Sequence, residues 1–134
     1  IINEYIISLI RKRTNMNLIN TYEKFKHINE EFIAFIDKLV IENFGAFTDE
    51  QIKMNLNIAL KNYEKLKFEA DEIKVEACYK NNLNDLNYLN YLIMSALFLV
   101  SDLIHFYNLK EYERFKMRAV NYINNSRRGK YINK

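Results

Sequence analysis

The chain has 134 residues, 49% of them hydrophobic, with no proline, two glycines and a net charge of +3. This length suits one domain with a single core, and the apolar content excludes an intrinsically disordered chain. Because each β-hairpin needs special turn residues, the lack of proline and glycine argues against a β-rich fold and favours long helices.

The sequence predicts two helices at its beginning, over residues 2–14 and 21–43, with three asparagines in the break between them. Asn20 and Glu23 have the spacing of a capping box, which favours a new helix start here. Glycine commonly follows the end of a helix, so Gly45 marks the expected end of the second one. Apolar residues share one face of each helix: Ile2, Ile6 and Leu9 in the first, and Phe25, Ile28, Phe32, Phe35, Ile36 and Leu39 in the second.

The third and fourth predicted helices have the clearest apolar periodicity in the chain. The third follows a capping box formed by Thr48 and Gln51, and a polar turn at residues 80–85 separates it from the fourth. In both helices the apolar residues alternate at spacings of three and four, the heptad pattern of helices that pack in pairs. We therefore expect an antiparallel hairpin. Its seam consists of Ile52, Leu56, Ala59, Tyr63, Leu66, Ala70, Ile73 and Ala77 against Leu86, Leu89, Ile93, Ala96, Val100, Leu103 and Tyr107.

The fourth predicted helix is apolar on all sides between Tyr91 and Val100. That run is about half of the roughly 20 residues that a bilayer-spanning helix requires, so we predict no membrane span. A helix that is apolar all round is usually buried, and one helix of the bundle can be central. The alternative is an exposed patch that binds a partner helix, a second copy of the chain or a lipid. The residues outside the seam that would form this partner-binding patch are Met94, Leu97 and Phe98.

A last helix follows, capped by Asn108 with Glu111, unless residues 85–124 form one continuous helix. We therefore predict an all-α fold: an antiparallel helical bundle of about five helices with a heptad-packed central hairpin. The bundle occupies residues 1–125 as a single domain, and a basic tail over residues 126–134 is expected to fray. Tyr112, Phe115, Ala119 and Tyr122 form the apolar face of the last helix.

No group of residues has the spacing of a catalytic or metal site, so we predict a protein that is not an enzyme and needs no cofactor. His27 and His105 each have a carboxylate one turn away. Structural zinc needs four ligands, however, and di-iron bundles use paired Glu-x-x-His motifs, which the chain lacks. Cys78 lies beside the predicted seam, where a buried structural thiol is expected, and a lone cysteine excludes an internal disulfide.

Two basic clusters, RKR at 11–13 and SRRGK at 126–130, are the strongest charge signal. In a bundle of five alternating helices the first, third and fifth end at the same pole, so the clusters would meet in one basic cap. Such a cap would bind phosphate groups or an acidic protein surface. Basic side chains at helix C-termini also oppose the helix dipole, which explains the pattern without a partner. The residues of this predicted nucleic-acid-binding pole are Arg11, Lys12, Arg13, Lys80, Arg127, Arg128 and Lys130.

From these features we expect a non-enzymatic protein–protein interaction module, such as an adaptor, inhibitor or complex subunit. Its partner would be another protein or a second copy of itself. Two alternatives stay open: an accessory nucleic-acid-binding protein that uses the basic pole, and a ligand-sensing bundle with a small pocket beside the central helix. The abundance of Lys, Asn, Ile and Tyr is typical of an AT-rich genome. The sequence begins at Ile1 within a helical pattern, so we expect a processed chain, and it indicates no compartment.

Overall fold

The computed structural model describes the backbone of residues 2–75 and 80–132 and the side chains of residues 16–75 and 81–127. Four helices occupy this part of the chain, and consecutive helices run antiparallel. α3 packs against each of the other three, so the prediction of an all-α bundle is confirmed. The helices are α1 over Ile2–Ile41, α2 over Asp49–Asp71, α3 over Lys80–Asn108 and α4 over Tyr112–Ile132.

α1 is one continuous helix, so the predicted break at residues 15–20 does not occur and the described residues form four helices, not five. Asparagine inside a helix costs only about 0.7 kcal/mol relative to alanine, whereas proline costs about 3 kcal/mol. Burial outweighs that small cost, because Leu18 within the predicted break and Thr21 directly after it are both buried. A core stripe with a seven-residue spacing therefore runs through the break: Leu18, Phe25, Phe32 and Leu39.

α1 ends in a Schellman motif at Asn43, two residues before Gly45, which the sequence predicts as the end of the helix. Asn43 adopts a left-handed conformation with φ of 49° and donates its N–H to the Val40 carbonyl at 3.2 Å. The next N–H, of Phe44, donates to the Leu39 carbonyl at 2.8 Å. Asparagine tolerates the left-handed region better than most residues, so it can take the place that glycine usually holds. Gly45 has no positive φ.

α3 and α4 are two separate helices, which answers the question left open by the sequence. Asn108 ends α3, and a second Schellman motif follows at Lys110, which has φ of 58°. The N–H of Lys110 donates to the Tyr107 carbonyl at 3.1 Å, and the N–H of Glu111 donates to the Phe106 carbonyl at 2.8 Å. α4 then runs to Ile132, so helical backbone covers most of the segment 126–134 that was expected to be a tail.

The predicted capping box at the start of α2 is confirmed. The Thr48 side chain accepts a hydrogen bond from the Gln51 N–H at 3.1 Å, and the Gln51 side chain accepts one from the Thr48 N–H at 2.9 Å. Asp49 and Glu50 follow in the first turn, where the helix dipole favours acidic residues. Local sequence therefore fixes where α2 begins.

The core lies mainly between α2 and α3, with α1 and α4 closing it. All the seam positions predicted on α3, from Leu86 to Tyr107, are buried. On α2 the predicted positions from Ile52 to Ala70 are buried, Ile73 is half-buried, and Ala77 lies outside the described residues. α4 adds the buried residues Phe115, Ala119, Tyr122 and Ile123.

One polar network crosses this core. The side-chain carbonyl oxygen of Asn29 on α1 accepts hydrogen bonds from the hydroxyls of Tyr63 on α2 at 2.9 Å and Tyr122 on α4 at 2.6 Å. Burial raises the pKa of Tyr63, and it raises the pKa of Tyr122 to about 12. The network joins three helices through one oxygen atom, so it favours a single register among them.

Candidate protein-binding surface

The candidate site is the side of α3 that faces away from the buried seam, called here the α3 outer face. Its residues recur every three or four positions, and most of them are exposed. No charged residue occurs between Asp85 and Asp102, so the middle of the face is uncharged. The residues of the α3 outer face are Asn84, Asn87, Tyr88, Tyr91, Met94, Ser95, Phe98, Ser101, Asp102 and His105.

Three aromatic side chains dominate this face. Tyr91 is 68% exposed, Phe98 is 61% exposed and Tyr88 is 38% exposed. The rings of Tyr88 and Tyr91 are in an edge-to-face arrangement with centroids 6.5 Å apart. Exposed apolar side chains scattered singly are normal on a protein surface, but several on one uncharged helix face form a patch typical of a binding site.

The structure separates the three residues that the sequence placed in the partner-binding patch. Phe98 is exposed on the α3 outer face, and Met94 is half-buried beside it. Leu97 is also half-buried, but it packs against the core. Adjacent residues on a helix point about 100° apart, so Leu97 lies away from the centre of the face that Phe98 occupies. The predicted patch does not include Tyr91, which precedes Phe98 by seven residues and so lies on the same face.

Two strongly exposed apolar side chains on α2 and α4 have charged neighbours in the chain. Phe68 on α2 is 67% exposed and lies between Lys67 and Glu69. Met117 on α4 is exposed and lies between Lys116 and Arg118. Long charged side chains cover apolar surface and keep water nearby. The α3 outer face lacks that protection.

The acidic group at the edge of the α3 outer face is already neutralised. Arg118 on α4 donates from Nε to the Asp102 carboxylate at 3.0 Å. Such a partly exposed ion pair contributes only about 0–1 kcal/mol to stability. The ion pair matters more for binding than for stability, because a partner that covers the α3 outer face meets no net charge at Asp102.

A second candidate lies at the end of the bundle where the α1–α2 loop meets the α3–α4 turn. Phe44 has φ of 65°, which is strained for an aromatic residue, and its ring centroid lies 5.1 Å from those of Tyr112 and Phe115. A cavity of about 470 Å³ opens beside it. The lining residues are Asn43, Phe44, Phe47, Asp49, Ile52, Tyr107, Tyr112, Glu113 and Lys116.

The charged groups in this cavity already have partners. The Tyr107 hydroxyl donates to Asp49 at 2.6 Å; this hydrogen bond, with help from Lys53, lowers the pKa of Asp49. Burial, followed by the same hydrogen bond, raises the pKa of Tyr107. Glu113 pairs with Lys116 at 3.1 Å. The cavity therefore offers a ligand no unpaired charge, which leaves the ligand-sensing alternative without a specific observation in its favour.

The basic residues predicted to form one pole lie towards the same end of the bundle but at different heights. Arg11 to Arg13 fall in the first third of α1, Lys80 begins α3, and Arg127, Arg128 and Lys130 belong to the last turns of α4. Contact between Tyr122 and Asn29 places Arg127 about 20 Å along the axis from Arg11, at 1.5 Å per residue. Arg127 is exposed, and the other six side chains lie outside the described residues.

No group of three or more His, Cys, Asp or Glu side chains in the described residues could hold a metal ion. His27 is exposed and lies 3.2 Å from Glu31, and His105 is exposed on the α3 outer face. Cys78 lies outside the described residues.

Residues 81–108 of α3 are long and apolar enough to cross a bilayer by length and composition alone. The core helix of a water-soluble protein meets the same criteria, and 33% of the most apolar window of α3 is buried inside the bundle. This observation is therefore weak support for a membrane span, and the absence of a span stays a prediction.

Comparison of the chain with protein-family models, with curated proteins and with solved structures finds no significant match. The functional argument therefore rests on the chemistry of the surfaces described above.

Proposed function

We propose that this protein is a non-enzymatic interaction module that binds another protein through the α3 outer face. The observation that carries the proposal is the exposure of Tyr91 and Phe98 on an uncharged face of α3, which packs against the other three helices. Aromatic side chains are the residues that most often dominate binding energy in protein interfaces. Removing about 200 Å² of ring surface from water would contribute about 5 kcal/mol.

We also propose that α2 and α3 pack as a heptad hairpin, as the sequence periodicity suggests. The buried positions of both helices support this packing, and the alanines among them, Ala59, Ala70 and Ala96, leave room for close approach. A helix held in this way loses little conformational entropy on binding, so its outer face is pre-organised for a partner.

The test replaces one exposed aromatic residue by aspartate and compares this variant with the same substitution at an aromatic residue of similar exposure on another helix. Phe98→Asp introduces a charge into the α3 outer face, and Phe68→Asp introduces the same charge at a site of similar exposure on α2. We expect both variants to keep the circular dichroism spectrum and melting temperature of the wild type within a few degrees, since both side chains are exposed.

Only Phe98→Asp should abolish the recovery of bound proteins when each variant is used as bait and the captured proteins are compared quantitatively. Equal recovery by wild type and Phe98→Asp would contradict the proposal. Unfolding of Phe98→Asp alone would show instead that Phe98 is part of the core.

A second candidate function, an accessory nucleic-acid-binding protein, is favoured by the continuity of α1. The dipole explanation for basic residues applies to helix C-termini, and Arg11 to Arg13 now lie within the first third of a helix instead. Against this, acidic residues of α2 near the same end, Glu69 and Glu72, dilute the positive charge.

Fluorescence anisotropy with single- and double-stranded DNA and RNA across a salt series tests this second candidate. Binding that weakens steeply with salt, and that is lost when Arg11, Arg13, Arg127 and Arg128 are changed to Glu, would support it. Absence of binding at low salt, or binding unaffected by these substitutions, would exclude it.

A further inference from the structure

We infer that the cavity beside Phe44 binds an organic cation without N–H groups, a quaternary ammonium ion, against its aromatic side chains. The cavity lies at the end of the bundle where the α1–α2 loop meets the α3–α4 turn, so this site is independent of the α3 outer face. Three features point to this class of ligand: the aromatic lining, the sign of the lining charges and the pairing of the polar groups.

Aromatic rings form much of the cavity wall. Four of its nine lining residues are aromatic: Phe44, Phe47, Tyr107 and Tyr112. The centroids of the Phe44, Tyr107 and Tyr112 rings lie 5.1 to 6.1 Å apart, and their planes are tilted by 34° to 64°. Because no two of these three planes are parallel, the cluster presents ring faces in more than one direction. The electron-rich faces of such rings attract organic cations.

The backbone of Phe44 supports a binding role for this cluster. Its φ of 65° is unfavourable for an aromatic residue, yet the Phe44 ring lies 5.1 Å from that of Tyr112, centroid to centroid. Strained residues persist only where the surrounding packing compensates for them, and they are concentrated at functional sites. A cavity of about 470 Å³, within the size range of small-ligand sites, opens beside this residue.

The charges that line the cavity favour a cation over an anion. Asp49 and Glu113 supply two carboxylates, whereas Lys116 supplies one ammonium group. The hydrogen bond from Tyr107, with help from Lys53, lowers the pKa of Asp49, so this carboxylate is ionised at neutral pH. A bound anion would be repelled by two carboxylates, whereas a bound cation would be attracted by both.

The carboxylates of the cavity are already paired, and this pairing selects a cation without hydrogen-bond donors. Asp49 accepts from Tyr107 at 2.6 Å and pairs with Lys53 at 3.2 Å, and Glu113 pairs with Lys116 at 3.1 Å. A primary ammonium ion is strongly hydrated, and its three N–H groups would need acceptors in place of the water that they lose. A quaternary ammonium ion has no N–H group, so the rings and the nearby negative charge are sufficient to hold it.

The first experiment compares choline with a neutral alcohol of the same shape, in which a carbon atom replaces the choline nitrogen. Isothermal titration calorimetry with the full chain measures both. Choline should bind with a dissociation constant of about 0.1–10 mM, and about tenfold or more tightly than the alcohol, because only the charged ligand gains from the rings. Absence of choline binding at about 20 mM, or equal affinity for the two ligands, would overturn the inference.

The second experiment tests whether the ligand lies in the cavity. Tyr112→Leu removes a lining ring, whereas Tyr112→Phe keeps the ring and removes only the hydroxyl. Tyr91→Leu is the matched control, because it removes an exposed ring from the α3 outer face. Tyr112→Leu should weaken choline binding about 3- to 30-fold, and the other two variants should bind like wild type. Wild-type affinity in Tyr112→Leu would contradict the assignment.

A third measurement needs no substitution, so it decides the question even if Tyr112→Leu does not fold. In a nuclear magnetic resonance titration of the wild type, the choline methyl protons should move upfield, because they lie against ring faces. The backbone amide signals of Asn43 and Phe44 should shift, whereas those of Tyr88 and Tyr91 should not. Shifts confined to residues outside the cavity would refute the inference.

Discussion

Asn29 on α1 accepts hydrogen bonds from side chains of both α2 and α4. Its side-chain oxygen accepts hydrogen bonds from Tyr63 and Tyr122. Asn29→Ala removes this acceptor, whereas the Tyr122 hydroxyl keeps its side-chain hydrogen bonds with Tyr63 and Ser126. Each lost hydrogen bond contributes about 0.5–1.5 kcal/mol, so we expect the free energy of unfolding to fall by about 1–2 kcal/mol, measured by urea denaturation.

Asn57→Ala is the matched control for this prediction, because Asn57 is exposed on α2. Alanine is the better helix former, so this variant should be neutral or slightly stabilised. An Asn29→Ala variant as stable as Asn57→Ala would show that the network contributes nothing to stability.

The same network predicts a loss of stability in alkali. An unfolded tyrosine titrates at its ordinary pKa of 10.0, whereas burial holds the pKa of Tyr122 at about 12. Between these values the unfolded chain releases a proton that the folded chain keeps, so the free energy of unfolding falls as pH rises. The contribution is fully present below pH 10.0 and is lost as pH rises through about 12.

Urea denaturation at several pH values from 9 upward measures this slope, and Tyr122→Phe should make it shallower. Tyr22→Phe is the control, because Tyr22 is 41% exposed and so keeps contact with water. A wild-type stability that does not change above pH 10.0 would contradict the prediction.

At the scale of the helices, the two Schellman motifs differ in how well their residues suit the left-handed conformation. Lys110 has φ of 58° and carries a side chain that this conformation disfavours by about 1–2 kcal/mol. Lys110→Gly should therefore stabilise the protein by about 0.5–1 kcal/mol after the entropy cost of glycine is included. Thermal and urea denaturation measure the change.

Asn43→Gly is the companion variant, because Asn43 occupies the equivalent position at the end of α1 with φ of 49°. Asparagine already tolerates this region, so a smaller gain is expected. A larger gain for Asn43→Gly than for Lys110→Gly would contradict this account of the two motifs.

The sequence predicts much of the helix pattern correctly, because capping and apolar spacing depend on residues that are close together in the chain. The capping box at Thr48 and the buried spacing from Leu86 to Tyr107 are both local patterns, and both are present in the structure. The break at residues 15–20 was predicted wrongly because asparagine is a weak helix breaker. Burial of Leu18 and Thr21 decides that segment, and burial is a property of the assembled bundle.

The sequence predicts only part of the α3 outer face, because exposure on a helix also depends on which other helices pack against it. The apolar spacing indicates which side of α3 is buried, but it does not show that α1 and α4 also pack against α3. Those neighbours determine which of the remaining residues stay exposed. Leu97 therefore packs against the core, whereas Tyr91, which lies outside the predicted patch, is 68% exposed.

At the scale of the whole molecule, helix lengths shape the bundle. The 40 residues of α1 span about 60 Å, whereas the 23 residues of α2 span about 35 Å. The ion pair between Lys24 and Glu69 aligns the two helices near the end of α2, so the beginning of α1 extends beyond α2. The bundle is therefore asymmetric along its axis, and the residues of the predicted basic pole are spread along the longer end.

The uncharged stretch of α3 also affects how the chain behaves when it is not folded. Between Asp85 and Asp102 the unfolded chain exposes a largely apolar run with five Leu and two Tyr, no proline and no charge. Segments of this composition pair readily as β-strands between molecules, and flanking charges are the usual protection. Whether the chain folds or aggregates therefore depends on how quickly the other helices pack against α3 after synthesis or after dilution from denaturant.

Refolding yield should accordingly fall as protein concentration rises, and a single charge inside the stretch should restore it. Phe98→Lys places that charge at an exposed position, and Phe68→Lys makes the same change outside the stretch at similar exposure. Light scattering after dilution from urea should show less aggregation for Phe98→Lys than for wild type or Phe68→Lys. Equal aggregation by all three would mean that another segment limits refolding. The uncharged stretch that we propose as a binding surface in the folded protein is thus also the segment that we expect to promote aggregation of the unfolded chain.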